Sequence, residues 1–373
     1  MARVPILEPP AWVEWRAGSI ADPVERLRFL RREMRAQKAP RQSRRPWHLA
    51  SLIAGLILIV LAPLPTGTAE TRVVARRPEG PSVAVTLPRV WLVEKSGALE
   101  LYSNGLRIDL TFAVSNRPRN RFPIFPLAGG REPIGESGVP VGIVYHTTES
   151  NLAPFEEEEN RLLRRYGRNL MEGVRQERSY HYVIDRFGRV FRVVEEADAA
   201  NHAGTSVWAD GRGAYVNLND SFLGVSFEGQ TGAVEDVTPA QVAAGKVLTE
   251  MLRSRYGIAA ENCVTHAQVS VNPQNMRIGS HTDWAGRFPF AGVGLPDNYS
   301  IPLASMYVFG FQYDSLFLRV TGRRWRGLDL AELEVARKAA AEGLETVRYR
   351  AMLQHRYKEI ASVLKEKSEE VIQ

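Results

Sequence analysis

Val141-Gly-Ile-Val-Tyr145 is an unbroken apolar run that ends on His146. Such a run reads as a buried strand, and a polar residue at its end is where strands of this kind feed a site. A second stretch begins 119 positions after His146: Thr265-His-Ala-Gln-Val-Ser-Val-Asn-Pro-Gln-Asn-Met-Arg-Ile-Gly-Ser-His-Thr-Asp-Trp284. It sets His266, His281 and Asp283 on either side of an irregular Asn/Pro/Gly loop and looks like half of a metal site. Imidazole and carboxylate suit Zn²⁺, and a catalytic zinc takes three protein ligands and keeps a fourth position for water. His146 is the best candidate for the ligand that must come from elsewhere.

At 373 residues and 44% hydrophobic, the chain can bury a sizeable core and holds one catalytic domain plus appendages. Its net charge of +6 is concentrated at the start: residues 1–48 carry 11 Lys/Arg against 5 Asp/Glu, which leaves 37 of each sign in the remainder. With no basic excess left to form a phosphate-binding surface, nucleic acid is not expected as a partner. Cys263 is the only cysteine, so no internal disulfide can form and thiol content does not reveal the compartment.

Residues 1–45 read as a basic cytoplasmic tail with one short helix over 22–34, capped by Asp22 with Pro23 in its first turn. Residues 46–69 contain no formally charged side chain, and Leu49 to Leu61 is almost purely aliphatic. A span of ~20 such residues crosses a bilayer core, and Arg41, Arg44 and Arg45 before it place the N-terminus in the cytoplasm. The expectation is a single-pass inner-membrane protein with its catalytic part in the periplasm or cell envelope. The competing reading is a signal peptide cleaved near Thr66-Gly-Thr-Ala69, but the basic region before the apolar core is long for one, which favours an uncleaved anchor.

Residues 70–137 read as a linker and a small β subdomain, with Asn104-Gly105 as a hairpin turn; an edge extension of the main sheet is the alternative. Beyond His146 come a polar helix and then two strands within Ser179–Val194, on which Tyr180 and His181 occupy neighbouring positions and are expected on opposite faces. Asn201 to Ser206 is a loop around His202. Phe222 to Gly229 is another strand, with Ser226 and Glu228 on one face. Thr238 caps an amphipathic helix whose first residue is Pro239. Strands alternating with helices across 140–290 predict an α/β fold, a mixed central β-sheet flanked by helices. In the extension 293–373, Leu328 to Lys367 predicts one long C-terminal helix whose apolar stripe packs on its own domain or on a partner.

Five of the seven histidines, His146, His181, His202, His266 and His281, fall in this central part, which together with Asp283 points to a metal site. Val144-Tyr-His-Thr-Thr148, Tyr180-His-Tyr-Val-Ile-Asp-Arg-Phe-Gly188, Asn201-His-Ala-Gly204, Leu223-Gly-Val-Ser-Phe-Glu-Gly229, Thr265-His266 and His281-Thr-Asp283 follow one another in a telling order. Over residues 138–292 the chain resembles the type 2 N-acetylmuramoyl-L-alanine amidases, a zinc family that includes the peptidoglycan recognition proteins. The resemblance implies one Zn²⁺ on His146, His266 and Asp283. It also implies peptidoglycan or muropeptides as substrate, and hydrolysis of the amide between N-acetylmuramic acid and L-alanine. A module that binds peptidoglycan without cutting it is the alternative.

Departures from the family bear on the remaining site residues. His281 stands where the family usually has Lys, and is expected to stabilise the oxyanion. Trp284 replaces the common Pro, and the loop from His266 to Asp283 is longer than usual. Ser226 occupies the place of a catalytic Glu in one branch, whereas Tyr180 matches the catalytic tyrosine of the other. Glu228 is expected to replace part of the missing carboxylate or to serve as structural partner of a nearby Arg. His202 and Ser226 are expected on the substrate side.

Overall fold

The computed structural model describes residues 87–232 and 237–370, the last five without their side chains. The expected basic tail and membrane anchor, 1–45 and 46–69, lie outside the described residues. Among those described, no helix is long and apolar enough to cross a membrane.

The described chain begins with β1 (Leu92–Ser96), β2 (Leu99–Tyr102) and β3 (Arg107–Asp109), an antiparallel meander turning at Gly97 and Gly105. Gly105 sits at φ +84°, the left-handed backbone that an Asn-Gly turn requires. β4 (Phe122–Ile124) pairs with β5 (Gly135–Ser137). Then follow β6 (Gly142–Thr147), α1 (Asn160–Glu177), β7 (Tyr182–Ile184), β8 (Val190–Arg192), the hairpin β9 (Val207–Asp210) and β10 (Gly213–Val216), α2 (Leu218–Ser221) and β11 (Phe222–Phe227). After α3 (Pro239–Tyr256) come β12 (Cys263–Thr265), α4 (His266–Val269), β13 (Val271–Asn272), β14 (Arg277–Ile278), α5 (Ala304–Tyr307), α6 (Ser315–Thr321), α7 (Arg326–Ala341) and α8 (Thr346–Glu370).

Eight strands form one mixed sheet in the order β1-β2-β3-β8-β7-β11-β6-β12. β6, β7, β11 and β12 run parallel, whereas β7 and β8 are antiparallel. All six residues of both β6 and β11 are buried, as strands covered on two faces must be. Helix α3 packs Leu248, Met251 and Leu252 with Ile143, Tyr145 and Val225 on one face. On the other, Met171 and Val174 of α1 meet Val183 and Phe191. Thr238 and Gln241 close a reciprocal capping box at the start of α3, and Gly257 ends the helix in the left-handed conformation.

Two expectations are resolved. Of the two readings of 70–137, the strands β1 to β3 follow the edge extension and not the separate subdomain, because β3 pairs in parallel with β8 and carries the sheet to its edge. A three-stranded meander has too little core of its own, and Tyr102, Leu106 and Ile108 bury their side chains in the main one. The single C-terminal helix is in fact two, α7 and α8, broken where Gly343 adopts φ +65° and the amides of Gly343 and Leu344 return to the carbonyls of Ala340 and Ala339. Of the two courses open to the stripe, it takes the first and meets the chain's own domain: Tyr357 and Ile360 join the main core, and Arg356 donates to the carbonyl of Gly130 at 3.0 Å. Residues beyond 292 are therefore no appendage, since Phe309, Phe311, Trp325 and Leu328 share one core with Ile143 and Tyr145.

Candidate active site

Strand register assembles the site. Thr265 of β12 lies opposite Tyr145 of β6, so His266, the next residue, arrives level with His146. On the other side of β6, Ser226 of β11 is paired directly with His146. Three neighbouring parallel strands thus set Ser226, His146 and His266 in a row near their C-terminal ends, the usual ligand edge of such sheets. Asp283 is brought in by its loop, whose carbonyl accepts from the Ala267 amide at 3.2 Å. His146 Nδ1 lies 3.0 Å from Asp283 Oδ2, and His266 Nδ1 lies 3.0 Å from Oδ1 and 3.2 Å from Oδ2. All three residues are buried.

The donor set fits a single Zn²⁺. Tetrahedral coordination with bonds of ~2.0–2.1 Å separates ligand atoms by about 3.3 Å, close to these contacts. The hydrogen-bond network points the same way. The Phe222 carbonyl, 3.2 Å from His202 Nε2, can only accept, so that nitrogen carries the hydrogen. His202 Nδ1 is then an acceptor for His146 Nε2 at 3.2 Å, which puts the His146 proton on Nε2 and leaves the Nδ1 lone pair facing a carboxylate. Two such acceptors are matched by a cation between them, with His202 as the outer partner that orients the ligand.

Electrostatics agree with that assignment. Burial, aided by the charge of His266, lowers His146 to about 4 against the pull of Asp283, so the ring is neutral and able to ligate. Burial also drives His202 well below its ordinary range. For Asp283, burial acts to raise the carboxyl, but His266 and His146 outweigh it and hold the group far below the usual carboxylate range.

The five histidines form one contiguous row of rings: His181 to His202 at 5.6 Å, His202 to His146 at 5.3 Å, His146 to His266 at 4.5 Å and His266 to His281 at 4.5 Å. His281 is exposed and stacks on His266 with an interplanar angle of 14°. Tyr180 lies beside the triad, 5.0 Å from the His146 ring. The expected face alternation does not reach Tyr180, because it precedes β7 and has φ +62°. His181 forms an outer layer, its Nδ1 accepting from the Gly224 amide at 2.9 Å. The Ser226 hydroxyl is buried without a hydrogen-bond partner. Glu228 is held differently from the others: its carboxylate accepts from the Arg186 backbone amide at 3.0 Å, the structural partnership offered as its alternative.

Three supporting residues escaped the sequence reading. A Cβ on Gly224 would come 2.6 Å from His202 Cγ, so the ring can lie on β11 only where glycine stands. Asn219 Oδ1 accepts from the amides of His202, Ala203 and Gly204 at 3.0, 2.7 and 3.1 Å and fixes their loop. Tyr299, far down the chain, bonds to the loop that follows Asp283. A glycine within β11, an asparagine in the four-residue α2 and a tyrosine in a three-residue turn carry no periodic signal that points to the site.

Residues 136–285 match the family described as N-acetylmuramoyl-L-alanine amidase. No curated protein matches the chain. Among solved structures, the chain is similar to the amidase AmiD from E. coli in complex with anhydro-N-acetylmuramic acid-L-Ala-D-gamma-Glu-L-Lys. Identity is 21%, 53% of this chain and 65% of that one are covered, and the TM-score is 0.32. AmpDH3 from Pseudomonas aeruginosa gives 20% identity, coverage of 56% and 74%, and a TM-score of 0.34. The Drosophila peptidoglycan recognition protein SD gives 18%, 42% and 84%, and 0.26.

Proposed function

We propose, from the premise that residues 136–285 are a domain of the type 2 N-acetylmuramoyl-L-alanine amidase family, that the protein hydrolyses the amide between N-acetylmuramic acid and L-alanine in peptidoglycan with the help of one zinc ion. The observation that carries this reading is the buried convergence of His146, His266 and Asp283 beside Tyr180 and His281. The three ligands would hold the ion, and bound there it would supply a Lewis acid and a water of pKa ~7.

The chain's own groups account for the rest. Burial first, and then the charge of Asp283, raises the Tyr180 phenol, so its hydroxyl stays protonated and able to donate to the scissile carbonyl oxygen. His281, exposed on the far side of His266, supplies a second donor at the place where lysine is usual in the family. His202 keeps its proton on Nε2 and so holds the His146 ring in the ligating orientation. Ser226, level with His146, is fully buried, so it would bear on the substrate only through the Tyr180 phenol beside it.

The test is digestion of purified peptidoglycan by the zinc-loaded full-length protein. New L-alanine amino termini should appear together with intact lactyl groups. Retention on peptidoglycan without new amino termini would overturn the hydrolytic reading in favour of a recognition module. We further infer, from the uncharged residues 46–69 and the arginines before them, that the protein is held in the inner membrane with its catalytic part outside the cytoplasm. It should then resist a carbonate wash with its N-terminus intact; a soluble form beginning near residue 70 would mean that a signal peptide had been removed instead.

A further inference from the structure

Asp283 sits on an irregular loop with two short internal turns, the Ala285 amide to the Thr282 carbonyl at 3.0 Å and the Gly286 amide to the Trp284 carbonyl at 2.8 Å. Trp284, the next residue, has φ +59°, a left-handed conformation that a non-glycine residue adopts only where its surroundings hold it. Gly286 follows at φ +139°, where a Cβ would lie 2.7 Å from the Thr321 carbonyl. The backbone of this loop is secured by the phenol of Tyr299. The hydroxyl donates to the Trp284 carbonyl at 2.5 Å and accepts from the amides of Gly286 and Phe288, both at 3.1 Å. A phenolic oxygen has one hydrogen to give and room for two donors, and here the hydrogen and two acceptor bonds go to this loop, with the Thr265 hydroxyl also beside it.

The neighbouring residue braces the other side of the site. Asn298 Nδ2 donates to the carbonyls of Ala260 and Cys263 at 2.7 and 2.8 Å, at the start of the strand that delivers His266. Its own carbonyl accepts from Gln268 Nε2 at 2.9 Å, and Gln268 is the residue that closes the capping box just behind His266. One short turn, Asn298–Ser300, therefore holds both the His266 side and the Asp283 side. That turn is itself fixed from the C-terminal part. Asp297 accepts from the Tyr299 amide at 3.2 Å, and the Tyr299 ring, 2% exposed, packs 4.8 Å from Trp325 and 5.1 Å from Phe290.

We propose that Tyr299, beyond the family-matched residues 136–285, is a positioning residue for the metal site: its hydroxyl holds Trp284 in the left-handed conformation and so aims the Asp283 carboxylate at His146 and His266. This rests on the reading of those three residues as ligands of a divalent cation. It does not depend on which bond the enzyme cuts.

The experiment uses the full-length protein and three versions of it: wild type, Tyr299→Phe, which removes only the hydroxyl, and Trp325→Phe, which trims the ring behind it. Zinc affinity is measured by competition with a chromophoric chelator, and the d–d absorption of the Co²⁺-loaded forms reports coordination geometry. Tyr299→Phe should weaken zinc binding by roughly ten-fold, the lower end of the range for outer-layer partners, and reduce the tetrahedral Co²⁺ band. Trp325→Phe should change neither by more than about two-fold, well below that range. In the wild type, zinc loading should slow hydrogen exchange of the Gly286 and Phe288 amides, a readout that survives even if a variant fails to fold.

Unchanged zinc affinity in Tyr299→Phe, an equal loss in Trp325→Phe, or amide exchange indifferent to zinc would each overturn the proposal. A wild type that binds no zinc overturns both this assignment and the zinc-dependent reading of function. A wild type that binds zinc, loses it in Tyr299→Phe and cuts no muropeptide keeps this assignment and discards the other.

Discussion

The two sides of the site are built on different principles. His146 is carried by the middle of a sheet: it lies on a fully buried strand, is paired in register with Ser226, and is oriented by His202, whose loop is fixed by Asn219. Every one of these residues falls within the stretch that matches the amidase family. Asp283 is carried by a loop with left-handed Trp284 beside it; the Ala267 amide holds the Asp283 carbonyl from inside the match, and the residues that follow are held by Tyr299, outside it. A strand positions a side chain through its ladder, so a short motif suffices. A loop has no ladder and must borrow hydrogen bonds from wherever the chain returns.

Removing a ligand from either side should give the largest effect and abolish the contrast. His146→Ala or Asp283→Ala should leave zinc content below about a tenth of wild type and no measurable amidase activity, because each deletes one of three protein ligands. Metal analysis of the purified variants checks this, and a variant that keeps stoichiometric zinc would remove its residue from the ligand set. His281→Ala should come next, losing on the order of 10²–10³ in kcat with zinc retained, the scale of one lost oxyanion donor. Tyr180→Phe should also slow turnover with zinc in place.

Changes behind the strand-borne ligand should be smaller. The sequence alone suggests that His202→Ala weakens substrate binding and spares zinc; the bond to His146 Nε2 shifts the expectation to a zinc affinity lower by about 10–100-fold. Gly224→Ala, whose Cβ would drive the ring off β11, should reproduce the effect with His202 still present. Should both variants bind zinc as tightly as wild type, the outer layer would have no part in holding the metal.

The pH response of the metal-free protein follows from the same burial. His146 is depressed from 6.5 to about 4, so between those values the unfolded chain takes up a proton that the folded one does not. Stability from this group is fully present above 6.5 and is lost as pH falls towards about 4, and the depressed His202 acts in the same direction. Thermal melts of the zinc-free protein should therefore move down between pH 7 and pH 5; melts independent of pH across that window would contradict the neutral buried rings. Smallest of all, Gly343→Ala at φ +65° should cost about 1 kcal/mol and lower Tm by ~2–4 °C without touching zinc affinity.

Much of the strand side was legible in the sequence. The apolar run ending on His146 and the order of the His motifs need only local pattern, as does the Thr238 cap, and each is realised. What escaped depended on non-local or non-periodic events. The pairing of β3 with β8 joins residues about 80 positions apart, and nothing in either segment announces the other. Tyr180 leaves the two-residue alternation because its backbone is left-handed before the strand begins. The break between α7 and α8 had a visible signal in Gly343, but the apolar spacing on either side of it suggested continuity. Tyr299 lies in a three-residue turn with no period to betray it.

The bracing of the Asp283 loop by Tyr299 separates the unit of inheritance from the unit of folding. A piece trimmed at residue 285 would keep all three ligand side chains and pass any motif search, yet lose the phenol that secures its last loop and the aromatic wall of Phe290, Tyr299 and Trp325 behind it. Grafted into another scaffold, such a piece would be a sentence without its final clause: every word of the recognition motif present, and the grammar that holds the last one in place left behind.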